Sequence, residues 1–195
     1  MKKLFLVGAV ALFGATSLNA QQFGIKAGMN MTNVSNSDQI GTALSGADAK
    51  GKIGFHAGLF MNAPIAEGFS IQPELLYNSK GVKFTYSNQD ANWHLDYLSV
   101  PVMFQYNATP QFYLEAGPEL SLLLSSKMKG QGGTVDLKDN TNGFDFGLGL
   151  GAGYYFTSNV GLTARYVAGF NDIVKDNDGD ALKNSAFQLG LAYKF

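Results

Sequence analysis

Large apolar side chains recur at every second position to the end of this chain. Phe187, Leu189, Leu191, Tyr193 and Phe195 alternate with Gln188, Gly190, Ala192 and Lys194. A period of two belongs to a β-strand with two unlike faces. The same alternation appears in seven stretches upstream, beginning near Phe23, Ile53, Phe69, Trp93, Phe112, Phe144 and Val160. In each, one row is Phe, Leu, Ile, Met or Tyr. The opposite row is glycine, small or polar, and it carries the charges. Eight strands are therefore expected.

The connections alternate in length. Residues 33–51, 79–92, 126–142 and 171–184 are long, whereas 63–68, 107–110 and 157–159 are short. Val82, Phe84 and Tyr86 alternate with Lys83 and Thr85 inside the second long connection, which predicts a hairpin continuing the strands. An even strand number, short turns at one end and long loops at the other is the pattern of a transmembrane β-barrel. About ten residues per tilted strand suffice to cross the hydrocarbon. A soluble up-and-down barrel would hide its apolar row inside and present a polar exterior. Here the charges share a face with the glycines, so the continuous Phe/Leu/Tyr face is the outer one and meets lipid. The expected fold is all-β, an eight-stranded antiparallel up-and-down transmembrane barrel.

The first residues agree with export. Met1-Lys2-Lys3 is basic, Leu4 to Phe13 is apolar, and small residues lead to Ala20. This is the order of a secretory signal peptide, predicted to span 1–20 and to leave a barrel domain of 21–195. No later stretch is apolar enough for a membrane helix. Cysteine is absent, which excludes disulfides, thiolate metal sites and a cysteine nucleophile. With Lys2 and Lys3 gone, 14 basic and 15 acidic residues become a modest acidic excess, and nothing points to nucleic acid.

Three prolines, Pro73, Pro101 and Pro118, fall inside strands, where a closed barrel offers no free edge; bulges are one way to admit them. The segments Gly24–Gly28, Gly54–Leu59, Gln72–Tyr77, Tyr97–Pro101, Leu114–Pro118, Gly149–Tyr154 and Gly190–Phe195 resemble the porin-like outer-membrane barrel family of Bacteroidetes, which includes the PorT type. The resemblance covers nearly the whole mature chain. It implies that the Gln-Pro-Glu, Val-Pro and Gly-Pro steps are recurrent family features. It also implies that Phe195, with Tyr193, is the signal read by the outer-membrane assembly machinery. The PorT type is linked to a secretion system, and no residue here singles out that subtype.

The inward row collects Lys26, His56, Gln72, Glu74, Glu115, Glu119, Asp145, Arg165, Gln188 and Lys194. Counted from the short turns, Lys26, Glu115 and Lys194 lie low. His56, Glu74, Glu119 and Arg165 lie near mid-height, and Asp145 lies high. An eight-stranded barrel is just wide enough for its own side chains, so these charges must pair. They form either a structural ion network that shuts the lumen or a narrow gate around Arg165 and the mid-level glutamates. The glycines 147, 149, 151 and 153 make room for Arg165 and Tyr113, or leave a small void.

His94, Asp96 and Ser99 could suggest a nucleophile, base and orienting carboxylate, as in outer-membrane acyltransferases, but Ser99 points to the face opposite His94. Asp176–Asp180 resembles the start of a calcium loop, with its glycine one place early and Phe187 where a glutamate is needed. A solvated turn is the expectation, and no cofactor or metal is implied. Trp93, Tyr97, Tyr106, Tyr154, Tyr166 and Phe195 are assigned to aromatic girdles.

The expected role is non-enzymatic: a small porin-family barrel of a Gram-negative outer membrane, its lumen filled and its outer loops held for surface contact. The partners are membrane lipid, lipopolysaccharide, the assembly machinery and a surface ligand or secretion-system component. A narrow passive channel for ions or small solutes is the alternative, and an outer-membrane enzyme a distant one.

Overall fold

The computed structural model describes residues 21–34, 48–86, 89–130, 133–175 and 181–195. The predicted leader 1–20 and the Asp176–Asp180 turn lie outside them. Nine strands are present among the described residues: β1 Gln22–Val34, β2 Asp48–Ala66, β3 Phe69–Tyr86, β4 Gln89–Asn107, β5 Phe112–Gly130, β6 Gly133–Asp136, β7 Phe144–Tyr155, β8 Val160–Gly169 and β9 Asn184–Lys194. All pair antiparallel. β6 is a short addition to β5, and the other eight close into a ring through β1–β9 and β4–β5.

The short turns are tighter than the alternation alone suggests. β2 continues to Ala66, leaving Glu67 and Gly68 as the turn, with Gly68 at φ 71°. Only glycine adopts that backbone without strain. Thr109 and Thr157 build the other two, each hydroxyl accepting from two following backbone N–H groups, Gln111 and Phe112 in one case and Asn159 and Val160 in the other. At the opposite end β3, β4 and β5 reach 18 or 19 residues, well beyond a bilayer crossing. The expected hairpin over 79–92 is present. The 126–142 connection is more ordered than its composition suggests: β5 runs on to Gly130, pairs with β6, and a short 3-10 turn follows at Lys138–Asn140.

The apolar row faces out. Ile53, Leu59, Leu148, Leu150 and Leu191 are more than half exposed or nearly so, a surface that water would not tolerate and lipid does. Ring contacts between Phe69 and Tyr106 at 5.2 Å, Tyr154 and Phe156 at 5.6 Å, and Tyr193 and Phe195 at 5.8 Å border the belt on the short-turn side. Phe55–Tyr77 and Phe146–Phe170 lie toward the long-loop side. Two residues expected in these girdles are elsewhere. Trp93 and Tyr97 are buried inside the barrel, because they share the parity of Leu95 and Ser99 on β4 rather than that of Leu98 and Phe104.

The prolines need no bulge. Between β3 and β4 the ladder runs from Pro73–Val102 to Leu76–Ser99 in one register, skipping the pairs beside Pro101. Between β4 and β5 it passes from Pro101–Glu119 to Phe104–Ala116 in one register. The register shift in that pair lies higher, where Leu124 is left between Tyr97–Leu123 and Asp96–Ser125.

Candidate functional site

The interior is filled from end to end in four layers. The floor, on the short-turn side, is aromatic. Phe60, Tyr113 and Tyr155 are buried, the two tyrosine rings are 6.1 Å apart, and the Lys194 ammonium sits 3.9 Å over the Tyr155 ring. The glycine row on β7 is what admits them. A Cβ on Gly153 would lie 2.3 Å from the Tyr113 ring, and one on Gly151 would lie 3.0 Å from Glu115 Oε1. Of the two expectations for these glycines, room for Tyr113 and Arg165 is the one observed.

Above the floor is the ionic layer. Arg165 on β8 reaches across the lumen. Its Nη1 and Nη2 donate to Glu74 Oε2 and Oε1 on β3 at 2.9 and 2.7 Å, and its Nε donates to Glu115 Oε1 on β5 at 2.7 Å. Lys26 on β1 donates to Glu74 Oε1 at 2.8 Å, and so does Gln72. Gln105 donates to Glu115 Oε2, and Asn62 ties Gln72 and Gln105 together. Glu74 has no exposed surface, and Arg165 has 3%. Two-point pairing of a planar guanidinium with a carboxylate is the geometry that best offsets the loss of water.

A second polar layer follows. His56 Nδ1 meets Asn30 Oδ1 at 2.7 Å, and Asn30 continues to Asn78, Ser99 and Ser121. Glu119 belongs here, accepting from Ser121 and pairing with Lys80 at 3.4 Å. The expected levels are thus corrected by the stagger of the strands: Arg165 joins the low Glu115 to Glu74, and Glu119 is not in its cluster. Asp145 is buried higher still, beside Asn184, which also bonds the Tyr97 hydroxyl. Lys80, Asn30, Asn78 and Ser121 were not singled out from the sequence. Lys80 continues the even-numbered row Gln72, Glu74, Leu76, Asn78 and was legible by parity alone.

The ceiling is apolar. Val82, Phe84, Trp93, Leu95, Tyr97 and Leu123 turn inward from the extended ends of β3, β4 and β5. Ile173 and Leu182, from the last long connection, pack onto them, and the Thr141–Val174 bridge ties that connection to the 3-10 turn.

Outside the wall and above the apolar belt, His94 contacts the Lys52 ammonium. Burial, then Lys52 and Lys129, hold its imidazole below the usual histidine range. Ser99 is in the lumen, so His94, Asp96 and Ser99 are not brought together. Among the described residues no group of three or more His, Cys, Asp or Glu side chains is placed to hold a metal ion.

A closed antiparallel ring of eight spanning strands, apolar without and polar within, defines an integral β-barrel of the bacterial outer membrane. The chain belongs to the outer membrane protein beta-barrel domain family, whose pattern matches residues 17–175. Its fold is similar to that of Neisserial surface protein A, at 16% identity and a TM-score of 0.59, covering 89% of this chain and 97% of that one. It is also similar to Ail, the attachment invasion locus protein of Yersinia pestis, at 16% identity and a TM-score of 0.53, covering 90% and 99%. No curated protein sequence matches the chain.

Proposed function

We propose that this protein is a non-enzymatic, non-conducting barrel of the porin-like type found in Bacteroidetes, which fixes its long-loop end as a contact surface outside the cell. The observation that carries this reading is the Arg165–Glu74–Glu115–Lys26 cross-brace, buried between an aromatic floor and an apolar ceiling. An ion would have to break at least three charge-assisted bonds to pass, and the aromatic floor and the apolar ceiling close the lumen beyond the two polar layers. What remains available to partners is the projecting set of hairpins. Rigid scaffolds that hold loops for recognition are common, and Ail, named for attachment, is a barrel of similar fold. A surface ligand or a secretion-system component is the partner class proposed for these loops.

Tyr193 and Phe195 are proposed as the signal for the outer-membrane assembly machinery. Phe195 is 72% exposed on the lipid side of the floor, so its ring is available to be read.

Single-channel recording of the purified mature chain in planar bilayers tests the closed lumen. Flat traces at all voltages are expected. Stepwise, ion-selective conductance would establish the passive-channel alternative instead.

A further inference from the structure

One groove outside the lumen combines two chemistries at one depth of the membrane. It lies over the upper part of β5, from Leu98 on β4 to Gly143 before β7, about 400 Å³ in volume, with Leu98, Leu122 and Leu124 on one side and Lys138, Asp139 and Lys175 on the other. Along β5 the outward row is Leu120, Leu122 and Leu124, then Ser125, Lys127 and Lys129. The change from leucine to lysine marks the upper edge of the apolar belt, and the groove sits on that edge.

The lysines are held there rather than left to wander. Leu124 is the residue left out of the β4–β5 ladder by the register shift, and its carbonyl accepts the Lys138 ammonium at 2.5 Å. Lys175 donates to the Asp139 carbonyl at 2.7 Å, and its backbone N–H donates to Asn140 at 3.0 Å. The Thr141–Val174 bridge and the Asn142 side chain bonded to Asp172 join the two segments that carry them. A carbonyl partner leaves an ammonium its full charge and further donors. Asp139 offsets part of that charge; just above, Lys127 stands opposite Asp136 in the β5–β6 ladder and Lys129 adds a further positive charge.

We propose that this groove seats a phosphorylated, acylated glycolipid of the outer leaflet, such as the lipid anchor of lipopolysaccharide. An acyl chain would lie along Leu98, Leu122 and Leu124, and a phosphate would rest on Lys138 and Lys175. A water-soluble anion would gain nothing from the leucines, and an uncharged lipid would gain nothing from the lysines; one molecule of the outer leaflet carries both features. This inference rests on the reading that the long-loop end faces outward.

The test uses the purified mature barrel in detergent, with bound lipid counted by native mass spectrometry and titrated by fluorescence. The probes are bis-phosphorylated lipid A, its dephosphorylated counterpart and inorganic phosphate. The double variant Lys138→Gln/Lys175→Gln removes the charge while keeping a polar side chain with hydrogen-bond donors. It should bind phosphorylated lipid A roughly tenfold more weakly or worse, the value of one lost charge-assisted bond. Lys50→Gln, on β2, should bind like the parent. Dephosphorylated lipid should bind the parent as weakly as phosphorylated lipid binds the variant. Undiminished binding by the double variant would overturn the proposal, and so would displacement of lipid by inorganic phosphate. Neither lysine touches the lumen, so conductance is indifferent to these outcomes and the two readings stand or fall separately.

Discussion

Arg165 and Glu74, 91 residues apart in sequence, meet in the middle of the lumen through two parallel hydrogen bonds of 2.7 and 2.9 Å. They join β8 to β3, strands on opposite sides of the ring. The contact is therefore a brace across the barrel's diameter rather than a link between neighbours.

Removing one member of that brace leaves buried charge without a partner. Arg165→Met should destabilise the barrel by about 3–5 kcal/mol, measured by urea unfolding in detergent. Arg165→Lys should recover only part of this, since an ammonium cannot pair at two points with Glu74 while also reaching Glu115. Equal stability of the lysine variant and the parent would show that the fork geometry contributes nothing.

The floor makes a prediction about size. Gly153→Ala places a methyl group where the Tyr113 ring lies and should cost about 1–3 kcal/mol. Adding Tyr113→Ala should remove most of that penalty, giving a clear coupling energy in a double-mutant cycle. Tyr113→Phe alone should be neutral or mildly stabilising, because its buried hydroxyl has no hydrogen-bond partner.

The ceiling can be loosened without opening the lumen. Leu182→Ala removes a side chain only 6% exposed and should speed amide hydrogen exchange in the described residues of the 171–184 connection. Exchange in the lower halves of β7, β8 and β9 should not change. Conductance should stay absent, since the ionic layer lies beneath.

The rim has a pH response. The folded state holds His94 below its ordinary value of 6.5, so the unfolded chain binds its proton more readily. Stability from this site is complete above 6.5 and is lost as pH falls through the folded value. Lys52 and Lys129 oppose the imidazolium, and Asp96 favours it. Acidification from about pH 7.5 to 5.5 should raise hydrogen exchange at the loop ends of β2 and β4, and His94→Gln should abolish the difference.

The barrel itself was legible because its signal is one of parity. Once Leu148 is outside, Gly147 and Gly149 are inside, and the alternation holds until a register shift such as that at Leu124 interrupts it. Parity also places Lys26, Glu74, Glu115 and Arg165 in the lumen, but it carries no information about height. Height depends on how far each strand is staggered against the next, and without it counting along the strands sets Glu119 beside Arg165. The ceiling was hidden for another reason. Ile173 and Leu182 sit in a polar, aperiodic connection, and their burial follows only from the length of β3, β4 and β5 beyond the membrane. Aromatic character assigns Trp93 and Tyr97 to the girdles, whereas their odd numbers, shared with Ser99, point inward.

Pro73, Pro101 and Pro118 lie on three adjacent strands, and each sits beside missing rungs of the same wall: Pro73 toward β2, Pro101 toward β3 and Pro118 toward β4. The seams from β5 through β7, β8 and β9 to β1 carry no such gap. The same flank holds the longest strands, so the missing rungs lie where the wall has the most pairing to spare. Three prolines are thus admitted into a ring without free edges because long neighbouring ladders above and below them keep the wall shut.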